Sequence, residues 1–179
     1  MTPSERDRVV AYLEQTKILV LDSTATLTDA QWRFKPAPEA WSAAECIEHI
    51  ALVETHLLHV IGGMAASPAA PPEVLAAAAG KEELLVKMVR SRSRKVVAPE
   101  GARPANRFPE IPALRAHFSD VRDRTIAYVR TTTDPIRTRV HPHFILGPLD
   151  GYQWLMFLGA HAERHLKQLQ EGLAVSRHA

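Results

Sequence analysis

Proline placement constrains this chain more than any other feature, because a proline inside a helix removes an amide donor and clashes with the preceding turn. The 179-residue sequence carries thirteen prolines, at positions 3, 36, 38, 68, 71, 72, 99, 104, 109, 112, 135, 142 and 148. The stretches they leave free predict four helices, over about 4–24, 42–62, 113–132 and 151–171, with a fainter fifth over about 81–95. Local signals mark the ends. Ser4 with Asp7 and Ser42 with Glu45 each match a capping box, and Asp150 with Gln153 makes a looser version. Gly62-Gly63 and Gly172 read as C-terminal stops.

Apolar periodicity agrees with these boundaries. Leu114, Phe118, Val121, Thr125 and Tyr128 form a stripe at helical spacing, and Trp154, Leu158, His161, His165 and Leu169 form another. Strand signals are scarce: Thr138 to Leu146 alternates weakly, with prolines at 142 and 148. Residues 65–80 are rich in alanine and proline, and 99–112 hold four prolines, so 64–111 reads as one long crossover. The predicted fold is all-α: a four-helix bundle with one long crossover between helices two and three, residues 1–179 forming a single domain.

Composition narrows the function classes. Lys and Arg number 22 against 20 Asp and Glu, a formal charge of +2, which gives no electrostatic case for nucleic acid or an anionic membrane. The basic run Arg90 to Lys95 has no interleaved aromatic residues and no DNA-reading motif beside it, so it reads as a solvated helix face. A spanning helix needs about 20 consecutive apolar residues. The best stretch, Leu57 to Ala79, is broken by Gly62, Gly63, Pro68, Pro71 and Pro72. With a single cysteine, Cys46, and no apolar core in the N-terminal residues, a cytoplasmic protein without membrane or nucleic-acid partners is expected.

Nine histidines carry the chemistry. His161 and His165 stand four residues apart on the apolar stripe of the last helix, so both imidazoles address one point. Two readings stay open at this stage. They are core histidines bonded to backbone or carboxylates, or they are metal ligands that need at least one more ligand from elsewhere. On the second helix His49 faces the same interior as Leu52 and Val53, and His56 stands one heptad on as a further candidate. His59 reads as solvated, and Cys46, three residues before His49, as packing.

Two blocks resemble a known family. The first is Trp41-Ser42-x-x-Glu45-x-x-x-His49-Ile50. The second runs from His141-Pro142-His143 through Gly147-Pro148-Leu149 and Trp154-Leu155 to His161-x-x-Arg164-His165-x-x-Gln168. Together they are similar, in order and from about residue 8 to 171, to the DinB/YfiT-like family of metalloproteins. The resemblance implies a four-helix bundle, often homodimeric, in which one histidine of the second helix and two of the fourth bind a divalent metal. In this sequence those are His49, His161 and His165. Zinc or nickel is the expected ion, with iron or manganese as alternatives, since imidazole suits several.

Three neutral imidazoles leave a tetrahedral ion with an open fourth position. Relatives that use low-molecular-weight thiols of the bacillithiol or mycothiol type imply thiol transfer to a small-molecule substrate. A metal-hydroxide hydrolase on the same triad and a non-catalytic metal-binding or stress-response bundle are the alternatives. Glu45 and Gln168 are candidate outer partners of the histidines, Glu45 competing with its capping role. Trp41 and Trp154 read as packing anchors, Gly159 as a point of close helix approach, and Arg164 as one half of an ion pair. His141 and His143 read as structural residues of a proline-rich loop.

Overall fold

The computed structural model describes residues 1–176. Four long helices form the bundle: α1 (Pro3–Ser23), α3 (Ala43–Ala65), α6 (Ile111–Thr131) and α7 (Gly151–Ser176). Short helices α2 (Asp29–Arg33), α4 (Pro72–Ala78) and α5 (Glu82–Arg90) lie in the connections, with 3₁₀ turns at Glu100–Ala102 and Ile136–Thr138. Helix α3 packs on α6 and α7, and α1 packs on the same two, so α1 lies diagonal to α3. Helix α5 lies along the outside of α7. Among the described residues no helix is long and apolar enough to cross a membrane.

Several boundaries differ from the sequence expectation, each for a local reason. Helix α1 starts from Thr2, whose side chain and Glu5 make the capping box, rather than from Ser4 and Asp7. Pro3 causes the shift: its ring already has the helical φ, and it has no amide to satisfy at the first position. Ser42 with Glu45 makes its box as expected, and Asp150 with Gln153 makes the looser one through reciprocal bonds of 3.1 and 2.9 Å. Gly62-Gly63 and Gly172 do not stop their helices. Burial of Ile61 and Met64 holds the last turns of α3 in place through the glycine pair, while Leu173 packs on the core beyond Gly172.

The fifth helix, predicted over about 81–95, appears as α5 and ends at Arg90, while α4 forms ahead of it in the alanine- and proline-rich stretch where no helix was expected; Gly80, whose φ of 70° suits glycine, separates the two. The weakly alternating segment forms one antiparallel hairpin, β1 (Val140–His143) with β2 (Gly147–Asp150), in which Pro142 faces Pro148. Each proline withholds a donor, which keeps this ladder short.

Apolar side chains form two clusters along the bundle. One holds Val9, Leu13, Ile61, Val129 and Leu155; the other holds Val20, Trp32, Ile47, Phe118 and Leu169. Helix α7 contributes Tyr152 and residues 154–158 to the first and Ala162 and Leu169 to the second, so its two histidines sit where one gives way to the other. Gly159 faces α1, where a Cβ would come within 2.5 Å of the Tyr12 ring, so the glycine permits this approach.

A buried ion pair fixes how three of the helices face one another. Arg122 of α6 is fully buried and bonds Glu54 of α3 through Nε at 2.8 Å and Nη2 at 2.7 Å. Its Nη1 donates to the Leu13 carbonyl at 3.1 Å and to Thr16 Oγ1 at 2.6 Å, both on α1. Removing one partner of such a pair leaves an uncompensated charge in the core. Arg122→Ala is expected to lower unfolding stability by about 3–5 kcal/mol, whereas Arg122→Met with Glu54→Leu should lose much less than the sum of the single changes. Urea unfolding of Arg122→Ala, Arg122→Met, Glu54→Leu and the double variant measures this, and additive losses in the double variant would contradict it.

Candidate metal centre

His49 descends from α3, and His161 and His165 from adjacent turns of α7. All three are buried, because the i, i+4 pair lies on the face of α7 that meets α3. Their Nε2 atoms converge: His49 lies 3.2 Å from His161, and His165 lies 3.1 Å from His161. A tetrahedral ion with metal–nitrogen bonds of about 2.0–2.1 Å has nitrogen–nitrogen edges of about 3.3–3.4 Å. The two edges at His161 are within a few tenths of an ångström of that length, and the ligand atoms of all three histidines lie within 4.8 Å of one another.

The outer nitrogens determine what the inner ones offer. His49 Nδ1 donates to the Ala102 carbonyl at 2.6 Å, and His165 Nδ1 donates to Gln168 Oε1 at 3.0 Å. A carbonyl oxygen only accepts, so in both neutral rings the proton is on Nδ1 and the lone pair is on Nε2. His161 can bring at most one proton to this meeting of three nitrogens. Burial pushes all three imidazoles below their ordinary protonation range, and His161 is depressed further by its two neighbours. Neutral rings with inward lone pairs are the form in which histidine binds a metal.

Aromatic rings flank the cluster. The Trp41 ring lies 4.7 Å from His49 and 5.8 Å from His165, nearly parallel to the latter, while Phe157 stacks on His161 at 5.3 Å. Trp41 is thus more than a packing anchor, since its face covers two candidate ligands.

The crossover supplies the partner of His49. Its turn at Glu100–Ala102 presents the Ala102 carbonyl, and the following residues are anchored by Glu48. The buried Glu48 carboxylate accepts from the amides of Ala105 and Arg107 at 3.0 and 3.4 Å and from Arg107 Nη1 at 2.8 Å. Neither Ala102 nor Glu48 was expected from the sequence. A backbone carbonyl leaves no trace there. Glu48 does leave one, a lone carboxylate within the run Cys46 to Ala51 that the fold buries whole.

Other candidates are placed elsewhere. Glu45 bonds the Ser42 amide at 2.8 Å and Lys35 at 2.9 Å, so it caps α3 while Ala102 takes the His49 proton. Gln168 does reach His165. His56 and His59 are exposed and stand apart from the cluster. Cys46 is sealed in the core, where burial pushes its thiol up to about 12. His143 Nδ1 accepts the amides of Ile145 and Leu146 at 3.0 and 3.1 Å, shaping the hairpin turn, and burial pushes the ring down to about 4. The His141 carbonyl accepts from Trp154 Nε1 at 3.2 Å. Among the described residues Arg164 makes no ion pair: it donates to the carbonyls of Val89, Ser91 and Arg94, strapping the crossover to α7.

The depressed histidines imply a pH dependence of definite sign. In the unfolded metal-free chain these rings take up protons near their ordinary 6.5, whereas in the folded chain they do so only at lower pH. Their contribution is therefore present above about 6.5 and lost as pH falls below it. Urea unfolding of metal-free protein is expected to show stability declining from pH 7.5 to 5, with a shallower decline in His161→Leu. Equal slopes in the two proteins would contradict the assignment.

The family model for the DinB superfamily matches residues 12–169. The protein YuaE of Bacillus subtilis (strain 168) is 27% identical over 145 residues, which cover 81% of this chain and 85% of YuaE. The solved structure of YfiT from Bacillus subtilis superposes with a TM-score of 0.60 at 14% identity, covering 99% of this chain and 89% of that one. YfiT is described as "a probable metal-dependent hydrolase with an unusual four-helix bundle topology". The match over most of its length shows that this chain belongs to the DinB superfamily.

Proposed function

We propose that the chain is a metal-dependent enzyme in which His49, His161 and His165 hold one divalent ion through Nε2 and leave a coordination position for a small nucleophile. The observation that carries this reading is the convergence of the three Nε2 atoms, two of them fixed as lone pairs by carbonyl partners. When bound, such an ion supplies Lewis acidity and lowers the pKa of a coordinated thiol or water. The protein's own contribution is to keep the imidazoles neutral, to orient them from behind, and to flank them with the Trp41 and Phe157 rings. Zinc or nickel fits an all-imidazole donor set.

Within this reading we favour transfer of a low-molecular-weight thiol. Among the described residues the group able to hold an ion contains histidines alone, with no carboxylate or cysteine. Neutral donors leave the double positive charge uncompensated, so an anionic fourth ligand is favoured. A coordinating thiol gives up its proton outright, whereas bound water titrates only near neutrality. An ion held by His49, His161 and His165 would supply the Lewis acidity for such a transfer, in which the thiol sulfur would bond to an electrophilic carbon of the substrate, the leaving group would depart with its electron pair, and the thiol proton would pass to solvent. Hydrolysis is the second reading, favoured by the description of YfiT.

Protein purified without a histidine tag is expected to contain close to one divalent ion per chain by elemental analysis, and His165→Ala very little. Equal metal in both would remove His165 from the site. Adding a small thiol to the cobalt-substituted protein should produce a sulfur-to-metal charge-transfer band. An unchanged spectrum, together with turnover of activated esters, would replace transfer by hydrolysis.

A further inference from the structure

The partner of His49 is a backbone carbonyl, which can only accept. The partner of His165 is a side-chain amide, which presents either an acceptor or a donor depending on which way it is turned. If Gln168 offered its NH₂ group, His165 would accept at Nδ1 and carry its proton on Nε2, facing the other two rings. Something must therefore hold the amide in the productive orientation.

Arg92 is placed to do so. Its Nη1 donates to Gln168 Oε1 at 3.1 Å, the same oxygen that accepts from His165 Nδ1 at 3.0 Å. Its Nε donates to Glu171 Oε2 at 2.8 Å, one turn further along α7, which fixes the guanidinium. Arginine carries only donors, so turning the amide over would set an NH₂ group against a guanidinium as well as against the ring. We propose that Arg92 is a positioning residue for the metal centre: it fixes Gln168 Oε1 as the acceptor and thereby commits His165 to the tautomer whose Nε2 lone pair faces the site. This rests on the reading of His49, His161 and His165 as ligands.

The crossover then orients the centre at two places, through Arg92 behind His165 and through Ala102 behind His49. The basic run that the sequence reads as a solvated face thus contributes one residue inward. Arg92 is partly covered, with its side chain 25% exposed, whereas Arg94 and Lys95 are exposed.

Charge and positioning make opposite predictions, which renders the proposal testable. Removing a cation near a divalent ion strengthens its binding by Coulomb's law, whereas removing an outer partner of a ligating histidine typically weakens it about 10–100-fold. Cobalt(II) affinity is measured by competition with a chromophoric chelator for wild type, Arg92→Ala, Arg92→Lys and Glu171→Ala. In parallel, long-range nitrogen–proton correlation spectra of the metal-free proteins report the His165 tautomer. The expected result is affinity about 10–100-fold weaker in Arg92→Ala, with His165 gaining the Nε2–H form. Arg92→Lys, still donor-only, should recover most of the loss, and Glu171→Ala, which frees only the far side of the guanidinium, should lose clearly less than Arg92→Ala. Unchanged or tighter binding in Arg92→Ala, an unaltered tautomer, or an equal loss in Glu171→Ala would overturn the proposal. A wild-type protein that binds no cobalt would instead overturn the ligand reading beneath it.

Discussion

Three imidazole nitrogens meet at about hydrogen-bonding distance in a part of the bundle that water scarcely reaches, and they share at most one proton. Lone pairs facing one another in a low-dielectric interior repel, and a buried polar atom without a partner costs free energy. One cation at their common focus removes both penalties. Much of the surrounding structure serves to keep this arrangement from relaxing. Ala102 and Gln168 hold the outer nitrogens, Trp41 and Phe157 cover the rings, and burial keeps them unprotonated.

The scaffold separates this centre from the forces that hold the bundle together. The Arg122–Glu54 pair ties α6, α3 and α1 through a network in which every guanidinium nitrogen has a partner. Glu54 lies five residues beyond His49 on the same helix, so fixing the rotation of α3 at one also fixes it at the other. Helix α7 is held differently, by α5 along its outer face and by Arg164, which straps the segment after α5 to it. Each histidine-bearing helix thus has anchors of its own beside the packing of α3 on α7, and the centre lies where the two meet.

How much of this the sequence disclosed follows from what kind of interaction each part uses. Helices ruled out by proline and ruled in by apolar spacing were legible, because both signals are local. Their ends were less so. Pro3 moved the start of α1 to Thr2, and Gly62, Gly63 and Gly172 lie inside helices because buried neighbours outweigh the entropy of a glycine. The His161 and His165 pairing was legible from spacing alone, whereas their meeting with His49 is a tertiary fact, expected only through family resemblance. The crossover was opaque. Its contributions are a main-chain carbonyl at Ala102 and Arg92 within a run of like charges, and it is anchored by Glu48 of α3. Neither crossover residue differs in composition from its counterpart in a solvated loop; their roles arise only from tertiary contacts.

The central claim, that three histidines of α3 and α7 bind one ion, is tested most directly by X-ray absorption at the metal edge of protein loaded with a single equivalent of zinc. The account predicts a first shell containing three nitrogen scatterers at about 2.0–2.1 Å, with the outer-shell features of imidazole and one further light or sulfur ligand, all three nitrogens arising from His49, His161 and His165. A first shell of oxygen alone, or an imidazole count that does not fall when His49 is replaced by alanine, would contradict it.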